Sequence, residues 1–450
     1  MTSRSLLLCA PFLLIVVGPS GAQESKSPGP RHITLEEAVQ LALKHNHAVR
    51  IAGYSVAEKE HTKDIARSAY FPLLRNDSNM AQLTDTQFIG IPAGGLGTVA
   101  GTPVPEQSTI LNQGALTIVT SGTQLTQPLS DLWKVKSAND VARAELNETR
   151  SKARGTENEV ALRVHQIYYR ILILQSHKEA ALAKIQASET LQTERVQQVK
   201  FGSTLEEEAI ETRAQSLESK QDLLTTELQL SDLTMQLDDA IGLPLTATLA
   251  LDPSVRQVGS TCEREQCVRA ALESHPEVAE AQAQVEQASA AVRLAKRQYI
   301  PDVEAFARYS YQSNVPFLVH NFGTFGVHFG YDLFDGGRRK AAIAEHQAQL
   351  RKAEENLARV KDDVELRVQT AYNKLDRTRQ MMKVSEELLA LRTESHRVSV
   401  QQLQVGSALR SQVAVSEARE LEARNLFLQS QLEYIQANDE MTEALGQTPE

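Results

Sequence analysis

Residues 160–168 read VALRVHQIY, and residues 364–372, 204 positions later, read VELRVQTAY. Near the start of each copy the separation is larger, since residues 70–72 (YFP) and 299–301 (YIP) lie 229 positions apart. Separations that stay constant over distant segments indicate a tandem duplication of a unit of about 200 residues. The difference, 229 − 204 = 25 residues, places one insertion in the first copy, between residues 72 and 128.

The first 22 residues have the features of a secretory signal peptide. Arg4 supplies a positive charge, Leu6 to Val17 form an apolar core, and Ser20-Gly21-Ala22 offers small residues at the cleavage positions. The apolar core is too short to cross a membrane, so we expect an exported chain that begins at Gln23. Lipoprotein processing at Cys9 is the alternative, but too little apolar chain precedes this cysteine to favour it.

The exported chain is acidic, and its charges are dispersed. The 450 residues include 47 Lys and Arg against 57 Asp and Glu, a formal net charge of −10 that becomes −11 without Arg4 (−10 − 1). Basic residues are mixed with acidic ones and form no cluster, which argues against nucleic acid as a partner. Beyond the signal there is no run of 18 apolar residues, so no transmembrane helix is expected.

Two cysteines remain in the exported chain, Cys262 and Cys267. An oxidising compartment permits a disulfide between them, and two idle thiols are the alternative. No second Cys/His pair lies near them at metal-site spacing, so we expect neither a metal nor a cofactor.

Long segments without helix-breaking residues predict very long helices. Residues 338–405 contain neither Gly nor Pro, and residues 129–201 contain only Gly155. At 1.5 Å per residue such helices reach roughly 100 Å, which suits a coiled coil or a helical barrel. We expect each to end at a glycine, from which a second helix returns over 205–241 or 409–445.

Between the short opening helices and the long helix of each copy, the pattern changes to strands. In the second copy, apolar and polar residues alternate over 303–311 and again over 325–333, as expected for two strands joined by a short loop. The first copy shows this alternation poorly. Its Gly-rich connection holds the 25 extra residues and suggests an exposed, flexible loop.

Two strands per copy make four per chain, and four strands cannot close a membrane barrel, for which the smallest number is about eight. Three chains would supply twelve strands (3 × 4) and a shared cylinder of helices. The sequence therefore predicts a mainly α protein with a small β part, built from tandem repeats of long coiled-coil helices plus four β-strands. The geometry implies an oligomer, with a short β-barrel in one membrane continued by a long α-helical tube.

Nearly all of the exported chain resembles the TolC-like outer-membrane efflux proteins. The resemblance is carried by an ordered set of short motifs, none diagnostic alone: Leu35-Glu36-Glu37-Ala38 at the opening, the Tyr-x-Pro turn in each copy, Gln127-Pro128-Leu129 and Leu333-Phe334-Asp335-Gly336-Gly337 after the strands, and the two Gly-Ser tips. It implies a homotrimer in outer-membrane lipid of a Gram-negative-type bacterium, in which a 12-stranded outer-membrane β-barrel is continued by a large periplasmic α-helical barrel. It also implies docking to a periplasmic adaptor (membrane fusion protein) and an inner-membrane pump.

This resemblance implies a passive conduit, the exit duct of a tripartite efflux or type I secretion system, gated at its periplasmic helical tips and opened by docking. The expected division of the chain is a signal peptide at 1–22, a first repeat at 23–242 (strands about 72–128, tip about 201–205), an equatorial linker at 243–262, and a second repeat at 263–450 (strands about 301–335, tip about 405–409).

The resemblance assigns the adaptor contact to the tips. The tip residues are Gly202, Ser203, Leu205, Gly406, Ser407 and Leu409. Relatives carry acidic residues in the pore six and nine positions after the second tip glycine. At these positions this chain has Gln412 and Val415, and its acidic residues follow the first tip instead: Glu206, Glu207, Glu208 and Glu211.

We hypothesise that this acidic group attracts cationic cargo or biases gating; stabilisation of a solvated helix N-terminus is the simpler alternative. Arg163 and Arg367 occupy equivalent positions, and face the lumen or pair between helices. Trp133 follows a predicted strand, and sits at the membrane interface or packs at a helix start.

Catalysis is not expected, because the histidines are scattered and no GxSxG, HExxH or phosphate-binding glycine motif occurs. The main alternative is a soluble periplasmic coiled-coil adaptor or scaffold, against which the alternating strands argue. The sequence does not specify the cargo (drug, metal ion, siderophore or protein), the partner pump, or whether the inserted segment plugs the barrel.

Overall fold

A computed structural model of the protein describes residues 31–85, 88–112, 116–245, 249–254, 262–313 and 319–449. The expected signal peptide, 1–22, lies outside these residues, as does part of the expected linker, 246–248 and 255–261. Within the described ranges, no helix is long and apolar enough to cross a membrane.

Two sets of four helices follow one another along the described chain. They are α1 (Leu35–His45), α2 (His47–Ser68), α3 (Asp131–Lys200) and α4 (Glu206–Ile241), then α5 (Arg264–Ser274), α6 (Pro276–Arg297), α7 (Arg338–Gln404) and α8 (Arg410–Ala444). Equivalent helices are separated by the same numbers of residues as the sequence repeats. Helix α6 begins 229 residues after α2 (47 + 229 = 276), and α8 begins 204 residues after α4 (206 + 204 = 410). The two sets are therefore equivalent, element by element.

Ten strands lie between these helices: β1 (Arg31–Ile33), β2 (Leu73–Gln82), β3 (Phe88–Ile91), β4 (Thr98–Val99), β5 (Thr102–Pro103), β6 (Thr109–Asn112), β7 (Thr117–Pro128), β8 (Leu249–Leu251), β9 (Asp302–Ser313) and β10 (Asn321–Gly330), counted over the described residues. The main sheet has the order β10-β9-β7-β2, with antiparallel neighbours. Its edge strands are therefore β2 of the first repeat and β10 of the second.

The strand β2 is regular although its sequence does not alternate clearly. It pairs with β7 over ten residues, from Leu73 opposite Thr126 to Gln82 opposite Thr117. Polar side chains on one face satisfy one another, since Asn76 Nδ2 donates to Thr123 Oγ1 over 2.8 Å and Ser78 Oγ lies 2.9 Å from Ser121 Oγ. Hydrogen bonding on this face replaces the apolar pattern by which strands are recognised in a sequence.

In the second copy, β10 ends at Gly330, three residues before the expected limit of 333. The chain turns there because the Asp335 carboxylate accepts hydrogen bonds from the backbone of Gly337 (2.9 Å) and Arg339 (3.1 Å) at the start of α7. Gly336 and Gly337 have φ of 66° and 88°, a conformation that favours glycine.

The inserted segment is ordered, contrary to the expectation of a flexible loop. It forms two stacked hairpins, with β3 paired to β6 and β4 paired to β5. Backbone hydrogen bonds continue between them, from Leu96 N to Val104 O (2.9 Å) and from Val104 N to Gly97 O (2.8 Å). The glycines shape turns within this ladder, and Gly94, Gly97 and Gly101 have positive φ.

The long helix α3 is the centre of the helical part, and packs against α2, α4, α6 and α8. One apolar core joins α1, α3, α4, α8 and the short parallel pair β1–β8, and a second joins α5, α6, α7 and α8. Helix α6 lies against both α7 and α3, whereas its equivalent α2 packs mainly on α3 and buries no residue. The outer side of α2 is therefore an unused packing surface.

Candidate functional site

The two helical tips have the same backbone structure. After α3, Gly202 adopts a left-handed conformation (φ 70°), and both the N and the Oγ of Ser203 donate to the Gln198 carbonyl, over 2.9 and 3.1 Å. After α7, Gly406 (φ 75°) and Ser407 repeat this arrangement on Gln402 with the same distances. A glycine is needed for the positive φ, and the serine satisfies a helix-end carbonyl, so the Gly-Ser pair makes a tight, rigid turn.

Each tip presents apolar side chains to solvent. Phe201 is 86% exposed and Val405 is 79% exposed, and Leu205 and Leu409 also project from the turns. Large apolar side chains are therefore grouped at the end of each hairpin, where nothing in the described part of the chain covers them.

The four acidic residues of the first tip are exposed, but they are not equivalent. Glu208 accepts from Thr204 Oγ1 over 3.1 Å and forms an ion pair with Arg195 (3.2 Å). Glu211 accepts only from Gln215, over 3.4 Å. Glu206 and Glu207 have no ion pair with another described residue. The charge of the group is therefore only partly neutralised within the chain.

The equivalent positions of the second tip have different roles. Gln412, equivalent to Glu208, accepts from the Leu409 N over 3.1 Å and so caps α8. Val415, equivalent to Glu211, is half-buried and lines a cavity of about 500 Å³ between α3, α4 and α8. Asn425 lines the same cavity, and its buried Oδ1 has no partner among the described residues.

The two faces of the main sheet differ in polarity. One face, lined by Asp77, Gln124, Glu304, Arg308, Thr324 and His328, borders a concave space of about 710 Å³. Gly122 leaves room there for the Arg308 side chain, since a Cβ at this glycine would lie 2.7 Å from Nη2. The other face of β10 carries Phe325, Val327 and Phe329, all largely exposed. On this same face, β2 and β7 carry the hydrogen-bonded polar pairs Asn76–Thr123 and Ser78–Ser121, so only its second-repeat part is apolar and suits contact with lipid.

The repeated arginines have different partners. Arg367 forms a two-pronged ion pair with Glu277 of α6, in which Nη1 lies 2.7 Å from Oε1. These hydrogen bonds hold the pKa of Glu277 below its usual range. Arg163 is exposed, and the residue equivalent to Glu277 in the first copy (277 − 229 = 48) is Ala48. Trp133 lies exposed in the first turn of α3, where its carbonyl accepts from Arg297.

A buried polar network joins the two repeats, and sequence reasoning did not identify it. Asp439 of α8 lies 2.6 Å from His165 Nδ1 and accepts from the Tyr169 hydroxyl over 3.0 Å, both on α3. All three side chains are buried. No motif marks this network in the sequence, because Asp439 is 270 or more residues from both His165 and Tyr169. The second copy does not repeat it, since Gln369 and Asn373 replace His165 and Tyr169 there.

Two further buried groups lie near the middle of the helical part. The Tyr168 hydroxyl accepts from the Asp252 N over 2.9 Å and lies 3.1 Å from the Ile33 carbonyl, so it ties β1 to the chain after β8. Burial raises the pKa of Tyr168 to about 12. Asp238 is fully buried in α4 with no hydrogen-bond partner for either carboxylate oxygen among the described residues, and this burial raises its pKa to about 6.

Where the sheet meets α7, Arg339 is buried between two tyrosine rings. Its guanidinium lies 5.3 Å from the ring centre of Tyr299 and 5.0 Å from that of Tyr331, and its Nε lies 2.9 Å from Asp335. The geometry of this joint rests on cation–π and ionic contacts together. The sequence motif that follows the strands includes Asp335 but not Arg339.

Cys262, just before α5, forms a disulfide with Cys267 in the first turn of α5. In the part of the chain that the structure describes, no group of three or more His, Cys, Asp and Glu side chains could hold a metal ion.

Part of this chain matches a known protein family in sequence. Residues 267–447 match the family model of the outer membrane efflux proteins, a family of channels rather than enzymes. No protein with a curated description matches the chain in sequence.

Several solved structures share the fold over 92% of this chain. The CmeC outer membrane channel of Campylobacter jejuni matches with a TM-score of 0.74 at 13% identity, over 85% of its own length. The outer membrane protein VceC of Vibrio cholerae gives 0.72 at 15% over 97%, and the open state of the Neisseria gonorrhoeae MtrE outer membrane channel gives 0.69 at 14% over 89%. The second repeat therefore matches the outer membrane efflux proteins in sequence, and almost the whole chain has the fold of TolC-like outer-membrane channels.

Proposed function

We propose that this chain is the protomer of a homotrimeric exit duct, a 12-stranded β-barrel in the outer membrane continued by a periplasmic α-helical barrel. The duct is a passive conduit for a tripartite efflux or type I secretion system. Its energy comes from an inner-membrane pump, which it reaches through a periplasmic adaptor.

The observation that carries this proposal is that the main sheet makes one contact between repeats and leaves the equivalent strands of both repeats unpaired at its edges. Inside the chain, β7, the last strand of the first repeat, pairs with β9, the first strand of the second. The equivalent partners, β10 and β2, are edge strands of ten residues each. Open edges are not tolerated in lipid, because unpaired backbone groups there cost several kcal/mol each. Pairing β10 of one copy with β2 of the next repeats the internal contact and removes every edge once the ring closes.

The helices support the same head-to-tail closure. Inside the chain, Gln287 of α6 donates to Glu145 of α3 over 2.9 Å. The residue equivalent to Gln287 in the first repeat is Glu58 (287 − 229 = 58), and the residue equivalent to Glu145 in the second repeat is Gln349 (145 + 204 = 349). Between two neighbouring copies these would again pair a carboxylate with an amide. Both are exposed within the single chain, and α2 is the helix with an unused face. This pair is therefore expected to bridge two copies.

A bis-maleimide cross-link tests this contact. In a protein with Glu58→Cys and Gln349→Cys, a short linker should join separate chains into covalent dimers and trimers. Glu145→Cys with Gln287→Cys is the matched control, since the same linker should react inside one chain and leave its mass monomeric. Monomeric products from both variants would mean that the copies do not meet through this face.

The tips are the proposed adaptor contact and moving gate. Their exposed apolar residues, Phe201, Leu205, Val405 and Leu409, support a partner surface, and the tight Gly-Ser turns support rigid-body movement of each hairpin. The acidic group after the first tip supports a negative collar at the entrance, formed by three copies. Replacing Glu206, Glu207, Glu208 and Glu211 by Gln should lower the cation selectivity of single channels. Gln412→Glu should raise it, and a selectivity indifferent to both changes would leave the group only a helix-stabilising role.

The first experiment is to extract the protein from outer membranes in detergent, measure its native mass and record conductance in a planar bilayer. A trimeric mass with discrete conductance steps is expected. A species that purifies without detergent and conducts nothing would favour the adaptor or scaffold alternative, which the shared fold with outer membrane channels does not support.

A further inference from the structure

The inserted segment of the first copy, residues 88–112, has an unusual composition for an exposed structure. It contains one charged residue, Glu106, in 25 positions. Although it is ordered by the β3–β6 and β4–β5 ladders, it leaves large apolar side chains in solvent. Exposed apolar surface of this kind marks an interaction site.

Apolar side chains occur on both faces of the hairpin segment. In the β3–β6 ladder, Ile89 pairs with Leu111 on one face, and Ile110 lies opposite Gly90 on the other. Phe88, Leu96, Val99 and Ile110 are each 68–71% exposed. Packing against the main sheet of the same chain does not cover them.

The position of this segment follows from the proposed function, on which the present inference rests. The strands β2 and β7 join α2 and α3 at Leu73 and Pro128, so the insertion leaves the opposite end of the sheet, away from the periplasm. These strands have 10 and 12 residues, and about 9–11 residues suffice for a tilted strand to cross a membrane. The hairpin segment therefore begins where the hydrocarbon region ends, and lipid does not cover its apolar side chains.

The remaining apolar surface within reach is the same segment of the other two copies. Twelve strands at a spacing of about 4.8 Å and a tilt of about 40° enclose a barrel of roughly 12 Å radius. The four-residue β3–β6 ladder alone is about 13 Å long, which is enough to reach the three-fold axis. With one charge per copy, three such segments meet without strong repulsion.

We propose that the three copies of residues 88–112 pack against one another across the outer mouth of the duct and form a second, extracellular closure. Phe88, Leu96, Val99 and Ile110 are the contact residues, and the occupant of each apolar surface is the same surface of the next copy. The duct would then be closed at two ends by different means, helical tips at the periplasmic entrance and apolar hairpins at the exit.

Oxidative cross-linking of the assembled protein in outer membranes tests this contact directly. A cysteine introduced by Val99→Cys meets no other free thiol of its own chain, because Cys262 and Cys267 are joined and Cys9 lies in the expected signal peptide. Covalent dimers are expected on mild oxidation. The control Glu36→Cys, exposed on α1, should remain monomeric under the same conditions.

Conductance gives an independent measurement. Leu96→Asn with Ile110→Asn should raise the fraction of time that channels are open by tenfold or more, because each buried aliphatic side chain contributes at least about that factor to a contact. Glu106→Gln, on the same segment, should leave the open fraction unchanged. Both leucine and isoleucine side chains are exposed in the single chain, so these changes do not disturb its core.

A trimer that conducts but yields no Val99→Cys dimer, and whose open fraction is the same with and without the two asparagines, would overturn the extracellular closure and leave the duct intact. Quenching of a fluorophore at Val99→Cys by lipid-borne nitroxides would also overturn it, since the segment would then lie in the membrane. A protein with neither trimeric mass nor conductance would instead reject the proposed function.

Discussion

Replacing Asp439 by alanine should destabilise the helical part more than any change of a surface charge. Asp439 is 2% exposed, and its Oδ2 is the common partner of His165 Nδ1 (2.6 Å) and the Tyr169 hydroxyl (3.0 Å). The alanine variant removes that acceptor from a fully buried imidazole whose Nε2 already has no partner among the described residues. Leaving a buried hydrogen-bond donor without its acceptor costs about 1–3 kcal/mol, and this change removes the acceptor of two such donors.

Urea unfolding followed by circular dichroism measures this loss. With a slope of about 3 kcal/mol/M, the midpoint should fall by roughly 1 M or more. Asp439→Asn keeps an acceptor of the same shape and should lose about half as much.

The neighbouring Glu440 provides the matched control. It forms a partly exposed ion pair with Lys374, so Glu440→Ala should cost less than about 1 kcal/mol. Equal midpoints for Asp439→Ala and Glu440→Ala would show that the buried network does not hold α3 and α8 together.

Three further outcomes follow from the helical part. Tyr168→Phe should lower the free energy of unfolding by about 1–3 kcal/mol, because it removes the hydrogen bonds that the buried hydroxyl makes with the backbone of Ile33 and Asp252, whereas the equivalent Tyr372→Phe should change it little; equal urea midpoints would contradict this. The folded-state pKa of Asp238, about 6, lies above its ordinary value of 3.8, so the stability that its protonated form contributes is complete below pH 3.8 and is lost as the pH rises through 6. Asp238→Asn should therefore stabilise the protein by about 1 kcal/mol at pH 7.5 and not at about pH 3.5, and a difference independent of pH would exclude this origin. Thiol alkylation should label Cys262 and Cys267 only after reduction, and labelling of the untreated protein would contradict the disulfide.

The parts of the fold that sequence reasoning identified are those with local causes. Helices α3 and α7 were recognisable because segments without Gly or Pro, ended by a Gly-Ser pair, permit few alternatives. The second-copy strands were recognisable because their side chains alternate between two environments. Strand β2 was not, because its polar side chains satisfy one another across to β7 instead of alternating with apolar ones.

The inserted segment shows a different limit. Its glycines suggested flexibility, but in the structure Gly94, Gly97 and Gly101 supply the positive φ that lets short strands turn back and pair. Composition alone does not distinguish a glycine that loosens a loop from one that permits a tight turn, since the difference lies in the hydrogen bonds made by its neighbours.

The sequence by itself determined the duplication, the order of the helices and of the second-copy strands, and the four helix ends at the two tips, because repeat separations, alternating side chains, helix-breaking residues and capping residues are visible in the sequence itself. Only the tertiary structure decided which elements meet: the edge positions of β2 and β10, the unused face of α2, and the pairing of Asp439 with His165 across 274 residues. Such contacts depend on how distant segments pack in three dimensions, and no local pattern of residues encodes them.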